Sequence, residues 1–181
     1  MGINTVIMKN NRKILIIIAV FVIVIFVGLF ISIHQNKDEA IMPKTKKFIS
    51  EYDYSIILPA NWAEYELDED EKNTNGFFNT GEWSGNLRIT PFDFEINSEQ
   101  FINNELAKHN AERISWNNIS GIFYGENAES EGDLYMHYWY LITQNRLYLC
   151  SFAVDPKDKD TENNGKEFET VIKILKSLKN E

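Results

Sequence analysis

The chain has 181 residues, of which 44% are hydrophobic and 25% charged, with a formal net charge of −9. Before Gln35 the only charged residues are Lys9, Arg12 and Lys13, so the remainder sets all 27 Asp and Glu against 15 of the 18 Lys and Arg, a balance of −12. Such a surface repels phosphate, which argues against a nucleic-acid partner and against peripheral docking on anionic lipid. The lone cysteine, Cys150, rules out an intramolecular disulfide in any compartment.

Residues 1–13 read as a short cytoplasmic tail and 14–34 as a transmembrane helix. From Ile14 to Ile33 the run ILIIIAVFVIVIFVGLFISI carries no charge. At about 1.5 Å of rise per residue, a helix of that length crosses the roughly 30 Å of bilayer hydrocarbon. A cleaved signal peptide would have a shorter apolar region and a small-x-small exit, and Phe30-Ile31-Ser32-Ile33-His34 supplies none. Cations directly before the run favour an inside N-terminus and an external C-terminal domain, although Lys37, Lys44, Lys46 and Lys47 follow on the other side. No Gly-x-x-x-Gly spacing marks a helix-dimer face. Residues 35–47, polar and broken by Pro43, form a linker.

Residues 48–181 have the length of one soluble domain. Its first strand spans Tyr52 to Leu58 and stops at Pro59, where a missing N–H suits a strand end. A short strand from Ala63 to Leu67 leads into the acidic run Asp68-Glu69-Asp70-Glu71 and the turn-rich Asn73 to Gly76. Phe77-Phe78, the turn Gly81 to Gly85 and a strand from Asn86 to Phe92, bounded by Pro91, follow. Asn97 caps a helix running to about His109, with Gln100 placed to return a hydrogen bond; the helix is expected to bury Phe101, Ile102, Leu106 and Ala107.

Strands over Arg113–Trp116 and Ile119–Tyr124 flank Asn117-Asn118, and Glu126 to Asp133 is a second polar turn. Leu134 to Val154 reads as two strands meeting at Gln144-Asn145. Pairing Thr143 with Arg146 puts Ile142, Tyr140, Tyr138 and Met136 on one side, opposite Leu147, Leu149, Ser151 and Ala153. The other side then carries Leu141, Trp139, His137 and Tyr135, opposite Tyr148, Cys150, Phe152 and Val154. Both sides are largely apolar, so the hairpin is expected to be covered on both, in a sheet between helices. A closing helix presents Phe168, Val171, Ile172, Leu175 and Leu178 as one apolar stripe, with lysines gathering at its C-terminus, where the helix dipole favours them.

No catalytic, cofactor-binding or metal-binding constellation stands out. His34, His109 and His137 lack HxxxH spacing and stand apart from Cys150; His137 reads as a core or edge histidine, since a general base needs a partner in reach. Cys150 reads as a small buried hydrophobe. The acidic runs Glu64–Glu71 and Asp155–Asp160 could offer oxygens to calcium, but neither has EF-hand spacing, and each reads as a solvated loop. Trp62, Trp83, Trp116 and Trp139 read mainly as core, with some available for a binding surface.

The segment Tyr54-Ser55-Ile56-Ile57-Leu58-Pro59-Ala60-Asn61-Trp62 resembles the opening of the PsbP-like superfamily, a strand followed by Pro, two residues and Trp. The closing helix from Phe168 with Ser177-Leu178 is similar to that superfamily's ending. The resemblance covers residues 48–181 and implies an α+β fold, an α/β/α sandwich around an antiparallel sheet, with a non-enzymatic binding or accessory role. Together these readings describe a transmembrane helix followed by a PsbP-like domain. Its partners are the membrane, through residues 14–34, and another protein of basic character, contacted through residues the sequence leaves unknown. The alternatives are a hydrolase-type enzyme or a calcium-stabilised envelope protein.

Overall fold

The computed structural model describes residues 44–68, 71–81, 85–95, 97–128, 133–144 and 146–181. The expected tail, the transmembrane segment 14–34 and most of the linker lie outside these. Among the described residues no helix is long and apolar enough to cross a membrane.

Among the described residues, ten strands form two antiparallel sheets. The smaller joins β1 (Thr45–Ile49), β2 (Tyr54–Pro59) and the two-residue β10 (Lys179–Asn180) in the order β1-β2-β10. The larger contains β3 (Trp62–Tyr65), β4 (Asn75–Asn79), β5 (Gly85–Asp93), β6 (Glu112–Trp116), β7 (Ile119–Asn127), β8 (Tyr135–Thr143) and β9 (Arg146–Val154), in the order β3-β4-β5-β9-β8-β7-β6. Helix α1 (Ser98–His109) connects β5 to β6, and α2 (Glu162–Lys176) connects β9 to β10.

The β8–β9 hairpin has the register read from the sequence, from Thr143↔Arg146 to Tyr135↔Val154. Gln144 takes the positive φ of the turn, at 49°. Alternation along these strands then sorts the two sides of the sheet. Trp139, Leu141, Tyr148, Cys150 and Phe152 are fully buried with Leu87 and Ile89 of β5, against Val171, Ile174 and Leu175 of α2 and Tyr54, Ile56 and Leu58 of β2. On the reverse side Ile122, Tyr124 and Ile142 pack on Ile102 of α1, flanked by Phe101, Leu106, Tyr138, Tyr140 and Leu147.

Four expectations change. Residues 45–47, read as linker, are the start of β1, because Phe48 anchors the strand against the Phe77 ring (4.9 Å, edge-on). The sheet is not sandwiched between helices alone: the β1-β2-β10 sheet shares one cover with α2, while α1 covers only part of the other side, leaving Met136, Tyr138, Leu149 and Ser151 half-buried. Helix α1 buries Ile102 and Glu105, with Phe101 and Leu106 half-buried and Ala107 exposed, so its apolar stripe is narrower than expected. Pro91, expected to bound its strand, lies inside β5 opposite Tyr148. Because β4 ends opposite Ile89, β5 is an edge beyond that point, where a missing N–H interrupts no ladder.

Local chemistry explains the helix ends. Asn97 accepts hydrogen bonds from the N–H groups of Glu99 (3.0 Å) and Gln100 (3.2 Å), and Asn110 closes α1 in the left-handed region at φ 49°, as Asn tolerates. Thr161 caps α2 through the Asn164 N–H (3.2 Å). At Gly121 an added Cβ would stand 2.0 Å from the Tyr140 carbonyl oxygen, so β7 approaches β8 there at a distance only glycine allows.

Candidate binding site

A cleft of about 450 Å³ opens where the two sheets meet. Its walls are the β1–β2 turn (Glu51, Tyr52), β3 (Glu64, Tyr65) and the β3–β4 loop (Glu66, Leu67, Asp68, Glu71, Lys72, Thr74). Among the described residues, five carboxylates thus share the cleft lining with one lysine. Glu51, Glu66 and Asp68 form no ion pair among the described residues, whereas Glu71 pairs with Arg88 of β5.

The floor is built from the core outward. Asn75 is buried, and its Oδ1 accepts from Ser50 Oγ and from Tyr54 OH, both at 2.6 Å. Its Nδ2 then donates to Glu64 Oε1 at 2.7 Å. A satisfied buried network of this kind fixes geometry, because any rotation would leave a polar atom unpaired. The Glu64 carboxylate is therefore held in place rather than swinging in solvent. Arg88 Nε donates to Tyr65 OH (3.1 Å), and the Tyr65 ring lies over Gly76, 2.5 Å from where a Cβ would stand. Burial raises the Tyr54 phenol far above its usual range, so it remains a donor to Asn75. A hydrogen bond with the neighbouring Glu51 carboxylate, then burial, raises that of Tyr52.

The arrangement can attract and orient a cation. Fixed and loosely held carboxylates beside two tyrosine faces suit lysine or arginine side chains, through charge-assisted hydrogen bonds and cation–π contact. Among the described residues no group of three or more His, Cys, Asp and Glu converges to hold a metal ion.

The other candidates are placed elsewhere. The second acidic run, Asp155–Asp160, forms a turn in which Asp155 pairs with Lys157 at 2.6 Å, and that hydrogen bond holds the Asp155 carboxyl below its usual range. Lys159 lies 3.6 Å from the Tyr135 ring centre. His137 is half-buried among the rings of Tyr135, Phe123, Phe152 and Phe168. Its Nδ1 has no hydrogen-bond partner among the described residues. Burial, and secondarily the Lys159 charge, lower its pKa to about 4, so it is neutral at pH 7. His109 is 3.3 Å from Glu105 and stacks on Tyr124 (4.3 Å, 11°), against the sheet and away from the cleft lining. Cys150 is fully buried, which pushes its thiol pKa above the ordinary range. Trp62 and Trp139 are core and Trp116 half-buried; His34 and Trp83 lie outside the described residues.

The sequence showed the acidic run but not the cleft. Asn75 was legible only as one turn residue among several, and its pairing with Glu64 depends on Ser50 and Tyr54 arriving from the other sheet.

Fold and site together define a small antiparallel α+β domain with an acidic cleft where its two sheets meet. The chain belongs to the family described as Domain of unknown function (DUF3805), whose pattern matches residues 43–181. It is similar to the crystal structure of a protein from Bacteroides thetaiotaomicron VPI-5482 solved at 1.50 Å, with 26% identity and a TM-score of 0.60 over 75% of this chain. That match spans 48% of the Bacteroides chain, so this protein corresponds to about half of it. A solution structure of cyanobacterial PsbP from Synechocystis sp. PCC 6803 also matches, at 10% identity and a TM-score of 0.37, over 77% of this chain and 94% of that one. A likeness that slight carries no argument. No curated protein matches the chain.

Proposed function

We propose that this chain is a membrane-anchored, non-enzymatic binding or accessory module, held at the outer face of the cytoplasmic membrane by residues 14–34, that takes a basic segment of another protein into the acidic cleft. The observation that carries the reading is the cleft itself, with Glu64 fixed by Asn75 at 2.7 Å and Glu51, Glu66 and Asp68 around it. The −12 balance beyond Gln35 supports it further, since an acidic surface steers a cationic partner and speeds encounter. Membrane attachment is supported by the uncharged run Ile14–Ile33. The PsbP-like arrangement is supported by the strand-Pro-Ala-Asn-Trp opening and the order of elements.

A labelled lysine-rich peptide titrated with the full chain in detergent tests the cleft. Binding is expected to weaken with added salt and to fall about tenfold in the Glu64→Gln/Glu66→Gln variant, roughly 1.4 kcal/mol. Wild-type affinity no greater than for a glutamate-rich control would sink the reading. A photo-crosslinking residue at position 66 in intact cells reads the side of the membrane, and exclusively cytosolic neighbours would reverse the proposed orientation.

A further inference from the structure

One wall of the cleft is the free edge of a sheet. Strand β3 ends the order β3-β4-β5-β9-β8-β7-β6, so it pairs with β4 on one side and, among the described residues, with no strand on the other. Past its last residue, Tyr65, the chain keeps the alternation of a strand. Ala63, Tyr65 and Leu67 are half-buried, whereas Glu64, Glu66 and Asp68 are exposed. Every second side chain of an extended segment points to the same face. Glu64 lies opposite the core residue Phe77 and on the side of the buried Trp62, so this is the face turned toward the second sheet and the cleft. Glu64, Glu66 and Asp68 therefore form a row of carboxylates along the wall, with a spacing of about 6.7 Å. Asn75 fixes the inner end of the row by its hydrogen bond to Glu64 at 2.7 Å.

Such a row selects a partner by period as well as by charge. A helix brings side chains to one face only every third or fourth residue, while a strand laid beside β3 brings every second one there, at the spacing of the row itself. Resting on the basic-segment reading above, we infer that the cleft takes this segment as an extended strand added to the free edge of β3, with Lys or Arg at alternate positions facing Glu64, Glu66 and Asp68. Main-chain hydrogen bonds to the edge supply affinity, and the alternate side chains supply selectivity. A second copy of this chain does not fit the edge, because pairing β3 with β3 sets acid against acid. Strand β6, at the opposite end of the sheet, carries no comparable row: its Arg113 is held by Glu99 at 3.0 Å and by Asn103 at 2.7 Å.

Labelled peptides of identical composition, titrated with the full chain in detergent, test this. One alternates lysine with threonine and valine; the other gathers the same lysines in a single block. The alternating peptide is expected to bind about tenfold tighter, and Glu66→Gln/Asp68→Asn, which changes only exposed side chains, should shrink that preference several-fold. Two further versions of the alternating peptide carry methyl groups on the backbone nitrogens, one at the lysines and one at the residues between them, which blocks one edge of the extended peptide or the other. Only one of these versions should lose binding. Alternating and blocked peptides that bind equally, or two methylated versions affected alike, overturn the added strand and leave the basic-segment reading standing. Peptides that bind no better than a glutamate-rich control remove both.

Discussion

The two sides of the β8–β9 hairpin have nearly the same apolar content and different fates. On one, Trp139, Leu141, Tyr148, Cys150 and Phe152 are fully buried under α2 and the small sheet. On the other, Tyr138, Tyr140, Leu149 and Ser151 remain half-buried beside α1. Composition does not separate them. The covers do: α2 and β2 together span the sheet's width, while the narrower α1 reaches only the β6–β8 end and Leu147. An apolar side chain on a sheet thus stabilises the fold only as far as something lies over it.

The contrast can be broken most directly by truncating one leucine on each side. Leu141→Ala should cost about 3 kcal/mol and Leu149→Ala under about 1, because only the first empties a closed core. Equal costs in denaturant melts would erase the distinction. Gly121→Ala tests the same region through the backbone, since its Cβ meets a carbonyl oxygen rather than a movable side chain; a loss of about 2–3 kcal/mol is expected.

Acid provides a subtler probe of the covered side. His137 has a folded pKa of about 4, below the unfolded value, so the unfolded chain takes up the proton first as pH falls. The stability contribution is complete at neutral pH, is lost between about pH 6.5 and 4, and changes little below that. Allowing for the ring's partial exposure, the loss is about 2 kcal/mol. Subtracting the pH profile of His137→Phe, which keeps a ring among the same aromatic neighbours, isolates it; parallel profiles would contradict the assignment. The smallest effect is expected beneath the less covered side. Asn97→Ala removes the α1 cap and should cost about 1 kcal/mol, with hydrogen exchange in the first turn of α1 rising more than in α2.

Local periodicity carried much of the reading. The β8–β9 register, the Asn97 cap, the Asn117-Asn118 hairpin and the α2 stripe all depend on neighbours within a few residues, so the chain itself displays them. Helix α2 also buries Asn164, Glu167 and Ile174, which the stripe did not include, and β10 follows where only a helix end was expected.

By itself, then, the sequence determined the antiparallel meander, the two helices, the uncharged run at 14–33 and an acidic chain without a recognisable catalytic motif. Tertiary structure alone decided that Thr45–Ile49 is a strand, that a second sheet shares the cover with α2, and that Asn75 turns an acidic loop into a cleft with a fixed carboxylate. The physical reason is distance along the chain. Ser50, Tyr54, Glu64 and Asn75 interact only once two sheets bring them together, and spacing or composition cannot encode a contact that folding itself creates.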